Sequence, residues 1–371
     1  MDELKSLSDE VSESIIDEQR IWKKNTKLFY CLLINYRLNW PSLSVEWLQL
    51  RGNEGKLGYR TNRLVYGTHT SSQEQEFVIV DSIKIPEDSI SPSQIETITS
   101  RNNLISSLAY MTHQGEPNRL RASISNDFLI ASKSSNGQIF IYDYENESKI
   151  SDKGLKMILK GHQDEGYGLE WNAQNLLASG SYDKLVCYWD IKNAATEPVH
   201  VFTGHNDIIE DVAWSDENTI ISVGDDKKII LNDIRTCATA GDIIGHDGAI
   251  NSVDVNKLYP QLLLTASSDK SIKIWDLRNS SNCLRVICND NEVYCAKWAP
   301  FASNIFASTG GDCKINVWNL GKKDNPLCFT HEGHFARVNE FSWNQNEHMT
   351  IASVDEDNYM QIWCMHPAYL N

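Results

Sequence analysis

The composition of the chain excludes several classes of protein. Its 34 Lys and Arg face 50 Asp and Glu, and the formal net charge of −16 would repel nucleic acid phosphates and favour a cationic partner. No stretch reaches the roughly 18 uninterrupted apolar residues of a membrane span, and the acidic first twenty residues lack the apolar centre of a secretory signal. With 41% hydrophobic residues, the sequence predicts one soluble domain of the nucleus or cytoplasm, without direct contacts to nucleic acid or membrane.

The N-terminal segment, residues 1–40, predicts an amphipathic helix packed on the side of the main domain. Residues 8–35 combine helical spacings of apolar side chains with a polar face, and we expect the helix to end before Trp40-Pro41. The apolar positions are Val11, Ile15, Ile16, Trp22, Leu28, Phe29, Leu32 and Leu33. Such a helix can act as a packing clamp, or it can border a groove for a partner.

The remainder, residues 41–371, is dominated by one repeated phrase. A Gly-His pair, a residue that is usually Trp, an Asp-centred turn and a Trp-Asp-like ending follow one another at 161–190, 204–233, 245–276 and 333–364. The turn residues are Asp183, Asp226, Asp269, Asp312 and Asp357, and each stands six positions before its closing residue, which is Trp189, Asn232, Trp275, Trp318 or Trp363. The closing residues recur every 43 to 45 positions, which is the period of a four-stranded β-propeller blade.

Seven such blades are predicted. One further repeat lacks its Gly-His pair at 288–298 but keeps its turn and closing residues, and another runs from 113–121 to 141–144 with Asn136 at its turn. Residues 42–85 hold more strand-like runs, and we expect a strand from near the C-terminus to complete their blade and close the ring. The predicted fold class is all-β, a seven-bladed WD-repeat β-propeller with an N-terminal α-helix.

Carboxylates gather at one opening of the predicted central channel. Residues three and five positions after each repeat's first His, or after the position equivalent to it, stand where a blade's innermost strand begins. The residue before each turn Asp faces nearly the same rim. Carboxylates around a narrow mouth pair with Lys or Arg, while Tyr rings flank a planar guanidinium, so we expect a docking site for a basic peptide. The candidate residues are Glu116, Asn118, Glu165, Tyr167, Glu210, Asp225, Asn251, Glu292, Tyr294 and Glu356.

The recurring His, Ser or Thr, Asp and Trp residues have the composition of catalytic triads. We interpret them instead as hydrogen-bond networks that tie the strands of one blade together, for example His162, Asp183 and Trp189. The sequence contains no Gly-rich phosphate loop, nucleophile elbow or HExxH motif, and its nine Cys form no CxxC pair. We therefore expect no enzyme activity, no metal, no cofactor and reduced cysteines.

Several segments resemble the histone-binding WD-repeat family. They are IWKKNTKLFYCLLINYRLNWPSLSVEWL (21–48), GTHTS (67–71), GEPNRLR, GHQDEGYGL, FTGHNDIIEDVAW, WDLRN (275–279) and EDNYMQIW. The similarity covers almost the whole chain, and the WKKNT…WPSL segment is far more specific than the repeats. The family includes the retinoblastoma-binding proteins and the small subunits of chromatin assembly factor and type B histone acetyltransferase.

The resemblance implies a non-catalytic histone chaperone or scaffold subunit of nuclear complexes that assemble, modify or remodel chromatin. Expected partners are histones H3 and H4 and other subunits of chromatin assembly factor, type B histone acetyltransferase, deacetylase or methyltransferase complexes. In the family the channel mouth takes the histone H3 tail, and the candidates from Glu116 to Asn251 stand where members carry peptide-contacting residues. A side groove takes the first helix of histone H4, and the residues expected there are Trp22, Phe29, Leu32 and Leu33.

The chain also departs from the family pattern. Ala249 and Asn39 replace typically acidic residues, and segment 319–333 is short and carries Lys322 and Lys323 where the family has a long acidic loop. We therefore expect the side groove to bind a histone helix weakly and through apolar contact. The WDLR sequence at 275–278 leaves one alternative function open, a substrate receptor of a cullin-type ubiquitin ligase.

Overall fold

Seven sheets make up the described part of the chain, and they are arranged as the blades of a propeller. The computed structural model describes residues 21–49, 59–86, 104–145, 149–150, 154–279 and 283–370. Short strands rich in Val, Ile and Trp alternate with tight turns, as blade packing requires. The innermost strands of successive blades lie side by side, and the last blade contacts the first, so the ring is closed.

The N-terminal elements and the first three blades follow one another in chain order, apart from strand β1. Helix α1 occupies residues 21–29 of the described chain, and β1 spans Tyr30–Arg37. Blade 1 contains β2 (Val45–Leu48), β3 (Tyr59–Gly67), β4 (Glu76–Pro86) and β5 (Ile105–His113). Blade 2 contains β6 (Pro117–Ala122), β7 (Leu129–Ser134), β8 (Ile139–Asp143) and β10 (Leu155–Leu159), while β9 (Lys149–Ile150) pairs in parallel with β5. Blade 3 contains β11 (Leu169–Trp171), β12 (Leu176–Gly180), β13 (Val186–Asp190) and β14 (His200–Phe202).

The remaining four blades repeat the same order from the channel outward. Blade 4 contains β15 (Ile209–Trp214), β16 (Thr219–Gly224), β17 (Lys228–Asp233) and β18 (Ala238–Ile244). Blade 5 contains β19 (Ile250–Val255), β20 (Leu262–Ser267), β21 (Ser271–Asp276) and β22 (Arg285–Cys288). Blade 6 contains β23 (Val293–Trp298), β24 (Ile305–Gly310), β25 (Ile315–Asn319) and β26 (Leu327–His331). Blade 7 contains β27 (Val338–Trp343), β28 (Thr350–Asp355), β29 (Tyr359–Met365) and, outermost, β1.

The N-terminal strand closes the ring. β1 pairs antiparallel with β29, from Tyr30 opposite Met365 to Arg37 opposite Tyr359, and so completes blade 7. Blade 1 needs no strand from elsewhere, because β5 is its fourth strand. The prediction that a strand from near the C-terminus completes the blade of residues 42–85 is therefore wrong. The long interval between β4 and β5, residues 87–104, breaks the repeat period and hides the fourth strand.

The N-terminal helix is shorter than predicted. It ends at residue 29, where the chain passes directly into β1, so the expected helix to residue 35 and the unit boundary at residue 40 are wrong. Leu32 and Leu33 are buried on opposite faces of β1, in two different core clusters. A short apolar run fits a strand buried on both faces as well as it fits a helix, which is why the pattern misled. The predicted positions Val11, Ile15 and Ile16 lie outside the described residues. Among the described residues, no helix is long and apolar enough to span a membrane.

The predicted His–Asp networks form hydrogen bonds within the blades. In blade 3, His162 Nδ1 lies 3.0 Å from Asp183 Oδ2 and Nε2 lies 2.6 Å from Ser179 Oγ. The Trp189 ring meets His162 edge-on, but within the described chain its Nε1 has no hydrogen-bond partner. Trp189 therefore adds packing to this network rather than a hydrogen bond.

The same network recurs in three other blades of the described chain. The His–Asp pairs are His205–Asp226 at 3.0 Å, His246–Asp269 at 2.9 Å and His334–Asp355 at 2.7 Å. In blade 7 the partner of His334 is thus Asp355, at the end of β28, and not the predicted Asp357. Asp355 reaches both groups, because its Oδ1 also accepts the Asp357 backbone N–H at 3.0 Å.

Candidate functional site at the channel mouth

Four predicted rim residues meet in a depression of about 190 Å³ at one end of the channel. Tyr167, Glu210, Asn251 and Tyr294 line it, and each comes from a different blade. They are at or near the starts of β11, β15, β19 and β23, the innermost strands of blades 3 to 6, which converge on the channel axis. The other lining residues are Leu43, Arg119, Arg337, Val338 and Asn339.

Glu210 is the carboxylate at the centre of this depression. It is half-buried, and in the described part of the chain no side chain or backbone group forms a hydrogen bond or ion pair with its carboxylate. Burial raises the pKa of Glu210 to about 7, and the charge of Asp225 adds to the shift while Arg119 opposes it. A poorly solvated carboxylate without a counter-ion gains free energy when a cation arrives.

The aromatic walls of the depression are Tyr167 and Tyr294. Burial raises the pKa of Tyr167, and the carboxylates of Glu165 and Glu210 add to the shift, so its hydroxyl remains protonated. The Tyr167 ring also lies 6.1 Å from the ring of Tyr182 at a tilt of 53°, which supports it from behind. These rings offer flat faces to a planar cation.

The other predicted rim residues lie outside the depression and already have partners or face solvent. Asn118 Nδ2 donates to Glu165 Oε2 at 3.1 Å, and Glu116 Oε2 lies 3.0 Å from His69 Nε2. Glu292 is exposed. Burial raises the pKa of the Asp225 carboxyl, and the charges of Asp207 and Asp226 add to the shift. Glu356 is also exposed and pairs with Arg337 at 2.9 Å. These residues surround the depression with further negative charge.

The sequence pattern did not point to two basic residues of the mouth. Arg119 Nε donates to the Tyr167 carbonyl at 2.9 Å, which fixes the backbone beside that ring. Arg337 stands three residues after His334 of its repeat, so a signal for it was present in the sequence. The expected docking chemistry drew on carboxylates and aromatic residues at those positions, and the one Arg among them was left aside.

Glu340 on β27 closes the channel beneath the mouth. Its carboxylate is fully buried and forms ion pairs with Arg119, with Arg121 at 2.9 Å and with Lys297 at 2.8 Å. Its Oε2 also accepts the Val45 backbone N–H at 3.0 Å. Although burial opposes ionisation, the three cations hold the pKa of Glu340 well below its usual range. This cluster joins blades 1, 2, 6 and 7, and no repeat position in the sequence indicated it.

A second cavity of about 520 Å³ lies on the other side of this cluster. Arg121 and Lys297 line it together with indole rings and the carboxylates of Glu46 and Asp254. Burial raises the pKa of each of these two carboxyls to about 7. Each also accepts a backbone N–H from the next blade at 2.6 Å, Glu46 from residue 122 and Asp254 from residue 298. These contacts hold neighbouring inner strands together.

The predicted side-groove residues are only partly available for a partner. Leu32 and Leu33 are buried in blade packing, so the expectation that they contact a histone helix is wrong. Trp22 Nε1 donates to the Tyr30 hydroxyl at 3.2 Å, and the Phe29 ring lies 5.9 Å from the Tyr369 ring, so both clamp α1 to the propeller.

The apolar side chains that α1 exposes are different ones. In the described part of the helix they are Ile21 and Leu28, which are 60% and 68% exposed. Their spacing of seven residues places them on one helical face. Leu28 belongs to the apolar pattern of the sequence, but that pattern could not say which side of the helix faces the protein.

Two family models match the chain. The model for the histone-binding protein RBBP4 and the corresponding subunit of the CAF1 complex matches residues 17–87. The model described as "WD domain, G-beta repeat" matches residues 154–190, 196–233, 237–276, 281–319 and 325–364, which together exceed half of the chain. The chain belongs to the histone-binding WD-repeat family. The predicted family and the predicted seven-bladed fold are thereby confirmed, and this family is generally non-catalytic and associated with chromatin.

A solved structure supports the same fold. A chain in the structure titled "Crystal Structure of Mitotic Checkpoint Complex" is similar with 19% sequence identity and a TM-score of 0.69. The match covers 91% of this chain and 92% of that chain. At this identity the likeness shows the propeller architecture alone.

Proposed function

We propose that this chain is a non-catalytic scaffold subunit of nuclear complexes that assemble, modify or remodel chromatin, and that its channel mouth binds the basic tail of histone H3. The observation that carries the proposal is the environment of Glu210. Its carboxylate is half-buried, has no partner in the described chain and shares a depression with Tyr167 and Tyr294. This combination suits an arginine side chain.

An arginine entering the depression meets two kinds of contact. Its guanidinium donates hydrogen bonds to Glu210, and its flat faces lie against the rings of Tyr167 and Tyr294. A neighbouring lysine of the same peptide reaches the outer carboxylates, Glu165 and Glu116. The net charge of −16 draws a basic peptide toward this surface before contact.

Titration calorimetry with a histone H3 N-terminal peptide at low and high ionic strength tests this proposal. We expect binding at low salt and a steep loss of affinity as salt rises, because the contacts are charge pairs. Salt-independent binding, or no binding at low salt, would contradict it.

A second, weaker site for the first helix of histone H4 is proposed beside α1. The histone-binding family model covers this helix, and its exposed residues Ile21 and Leu28 offer an apolar face. The usual acidic wall is replaced by segment 319–333, where Lys322 Nζ is held by the Tyr369 carbonyl at 3.3 Å. Apolar contact therefore supplies most of the binding free energy, on the order of 25 cal/mol per Å² of buried apolar surface.

Leu28→Ser tests the second site. We expect this change to weaken binding of a histone H4 helix peptide several-fold without lowering the stability of the protein, since Leu28 is exposed. Phe29→Ala is the comparison, because it removes packing against Tyr369 and should destabilise the clamp. Equal peptide binding by wild type and Leu28→Ser would place the histone helix elsewhere.

The alternative function as a cullin-type ligase receptor is not favoured. It rested on the WDLR sequence at 275–278, in which Arg278 Nη2 pairs with Asp276 Oδ2 at 2.6 Å. The same pair at the same distance joins Arg235 and Asp233 in blade 4. The arginine thus serves a repeated turn of the blade, which gives it a structural role.

A further inference from the structure

The channel mouth contains a cation of its own. The Arg337 guanidinium lies over the Tyr294 ring, with its central carbon 5.4 Å from the ring centre. Its Nη2 lies 2.9 Å from Glu356 Oε1, and both side chains are about half exposed. Arg337 lines the same depression as Glu210, Tyr167 and Tyr294.

We infer that Arg337 is an internal competitor for the guanidinium site of the mouth. In the free protein it occupies the face of Tyr294 that an arginine of a bound peptide would use, and the peptide must displace it. Arg337 is thus a residue that sets affinity and specificity at this site. The inference rests on the proposed binding of a basic peptide to the mouth.

The contacts that hold Arg337 are weak enough to be exchanged. An exposed cation–π contact and an exposed ion pair each contribute little, because water and salt screen them. Glu356 can keep the displaced guanidinium at the edge of the mouth, since it lies in a turn at the rim and faces solvent. Two guanidinium groups that stay close together in one small depression repel each other, so Arg337 weakens cation binding even when it has moved aside.

The competition also favours certain peptides. A peptide with an acidic side chain beside its arginine can pair with the displaced Arg337, while a purely basic peptide meets only repulsion from it. The mouth therefore selects for an arginine with mixed charge around it more strongly than a purely acidic rim would.

Arg337→Gln is the direct test, with Arg278→Gln as its matched control. Both changes remove one positive charge and break one arginine–carboxylate pair, but Arg278 lies beyond the far end of β21, at the opposite end of that strand from the turn Asp269. We expect Arg337→Gln to bind a histone H3 N-terminal peptide roughly three- to tenfold more tightly at low salt. Arg278→Gln should bind as wild type does, because its pair is remote from the mouth.

Arginine amide provides a probe that does not depend on the histone proposal. Its saturation-transfer NMR signal should increase in Arg337→Gln and disappear when Glu210→Gln is added. If arginine amide gains and the histone peptide binds neither protein, the histone H3 assignment fails and the role of Arg337 stands. If Arg337→Gln binds both probes no better than wild type and Arg278→Gln do, Arg337 is no competitor and the inference is overturned.

Discussion

Lys133 on β7 shows how strongly burial acts on a single side chain. It is fully buried, and its Nζ has no hydrogen-bond partner in the described part of the chain. Burial lowers the pKa of Lys133 to about 7, although Cys187 and Asp183 oppose the shift. An unfolded chain keeps this amine charged up to a pKa of about 10.4, so the folded state binds fewer protons between these values. The cost of burying the amine therefore falls, and stability rises, as pH increases through that window.

Lys133→Met is expected to stabilise the protein at neutral pH by on the order of 2–4 kcal/mol, because it removes the amine and keeps the length of the side chain. Chemical denaturation at several pH values measures this gain, which should shrink as pH rises. Lys156→Met on the exposed outer strand of blade 2 is the control and should change stability little. A destabilised Lys133→Met would show that Nζ has a partner.

At the rim, part of the site was predictable residue by residue. Spacing from the conserved place of the His in each repeat located Tyr167, Glu210, Asn251 and Tyr294, because the repeat fixes where each innermost strand begins. Spacing alone could not tell which carboxylates were already paired, as Glu165 is with Asn118. Such pairing depends on contacts between blades, and these are set by the closed ring rather than by any one repeat.

Among the elements, α1 and β1 depend on one shared hydroxyl. The Tyr30 hydroxyl accepts from Trp22 Nε1 at 3.2 Å and lies 2.8 Å from His331 Nδ1. His331 is fully buried, and burial lowers its pKa well below the usual range, so the ring is neutral. The hydroxyl therefore links the helix, the closing strand of blade 7 and the outer strand of blade 6.

Tyr30→Phe should lower the free energy of unfolding by about 1–3 kcal/mol, because it leaves buried polar groups of Trp22 and His331 without their partner. Tyr36→Phe on the same strand is the matched control, since Tyr36 is 37% exposed. Urea denaturation of both variants measures the difference. Equal stability of the two variants would mean that this hydrogen-bond chain does not hold the helix in place.

Element boundaries were least predictable where two folding patterns share one composition. The apolar run at the start of β1 fits either a helix or a doubly buried strand, and only its pairing with β29 decides between them. The partner strand lies more than 300 residues away in the chain, beyond the reach of local pattern. The repeat blades were predictable because each blade's strands are neighbours in sequence.

Across the whole molecule, Glu340 ties the ring together at its centre. Three cations from blades 2 and 6 and a backbone N–H from blade 1 depend on its carboxylate. Glu340→Gln should destabilise the protein by about 3–5 kcal/mol, because it leaves three buried positive charges without an anion. Glu332→Gln, which breaks an exposed pair with Lys314, should cost little. Calorimetric unfolding of both variants would contradict this account if they melted alike.

The most direct test of the proposed function is the pH dependence of histone H3 peptide binding in wild type and Glu210→Gln. Glu210 must be ionised to hold a guanidinium, and its pKa is about 7, so it is mostly protonated below that value and mostly charged above it. Wild-type affinity should therefore rise up to about tenfold between roughly pH 6 and pH 8. Glu210→Gln should bind more weakly by about 2–4 kcal/mol and lose this dependence. A variant that binds the peptide like wild type at both pH values, while unfolding normally, would contradict the proposal that the channel mouth is the histone site.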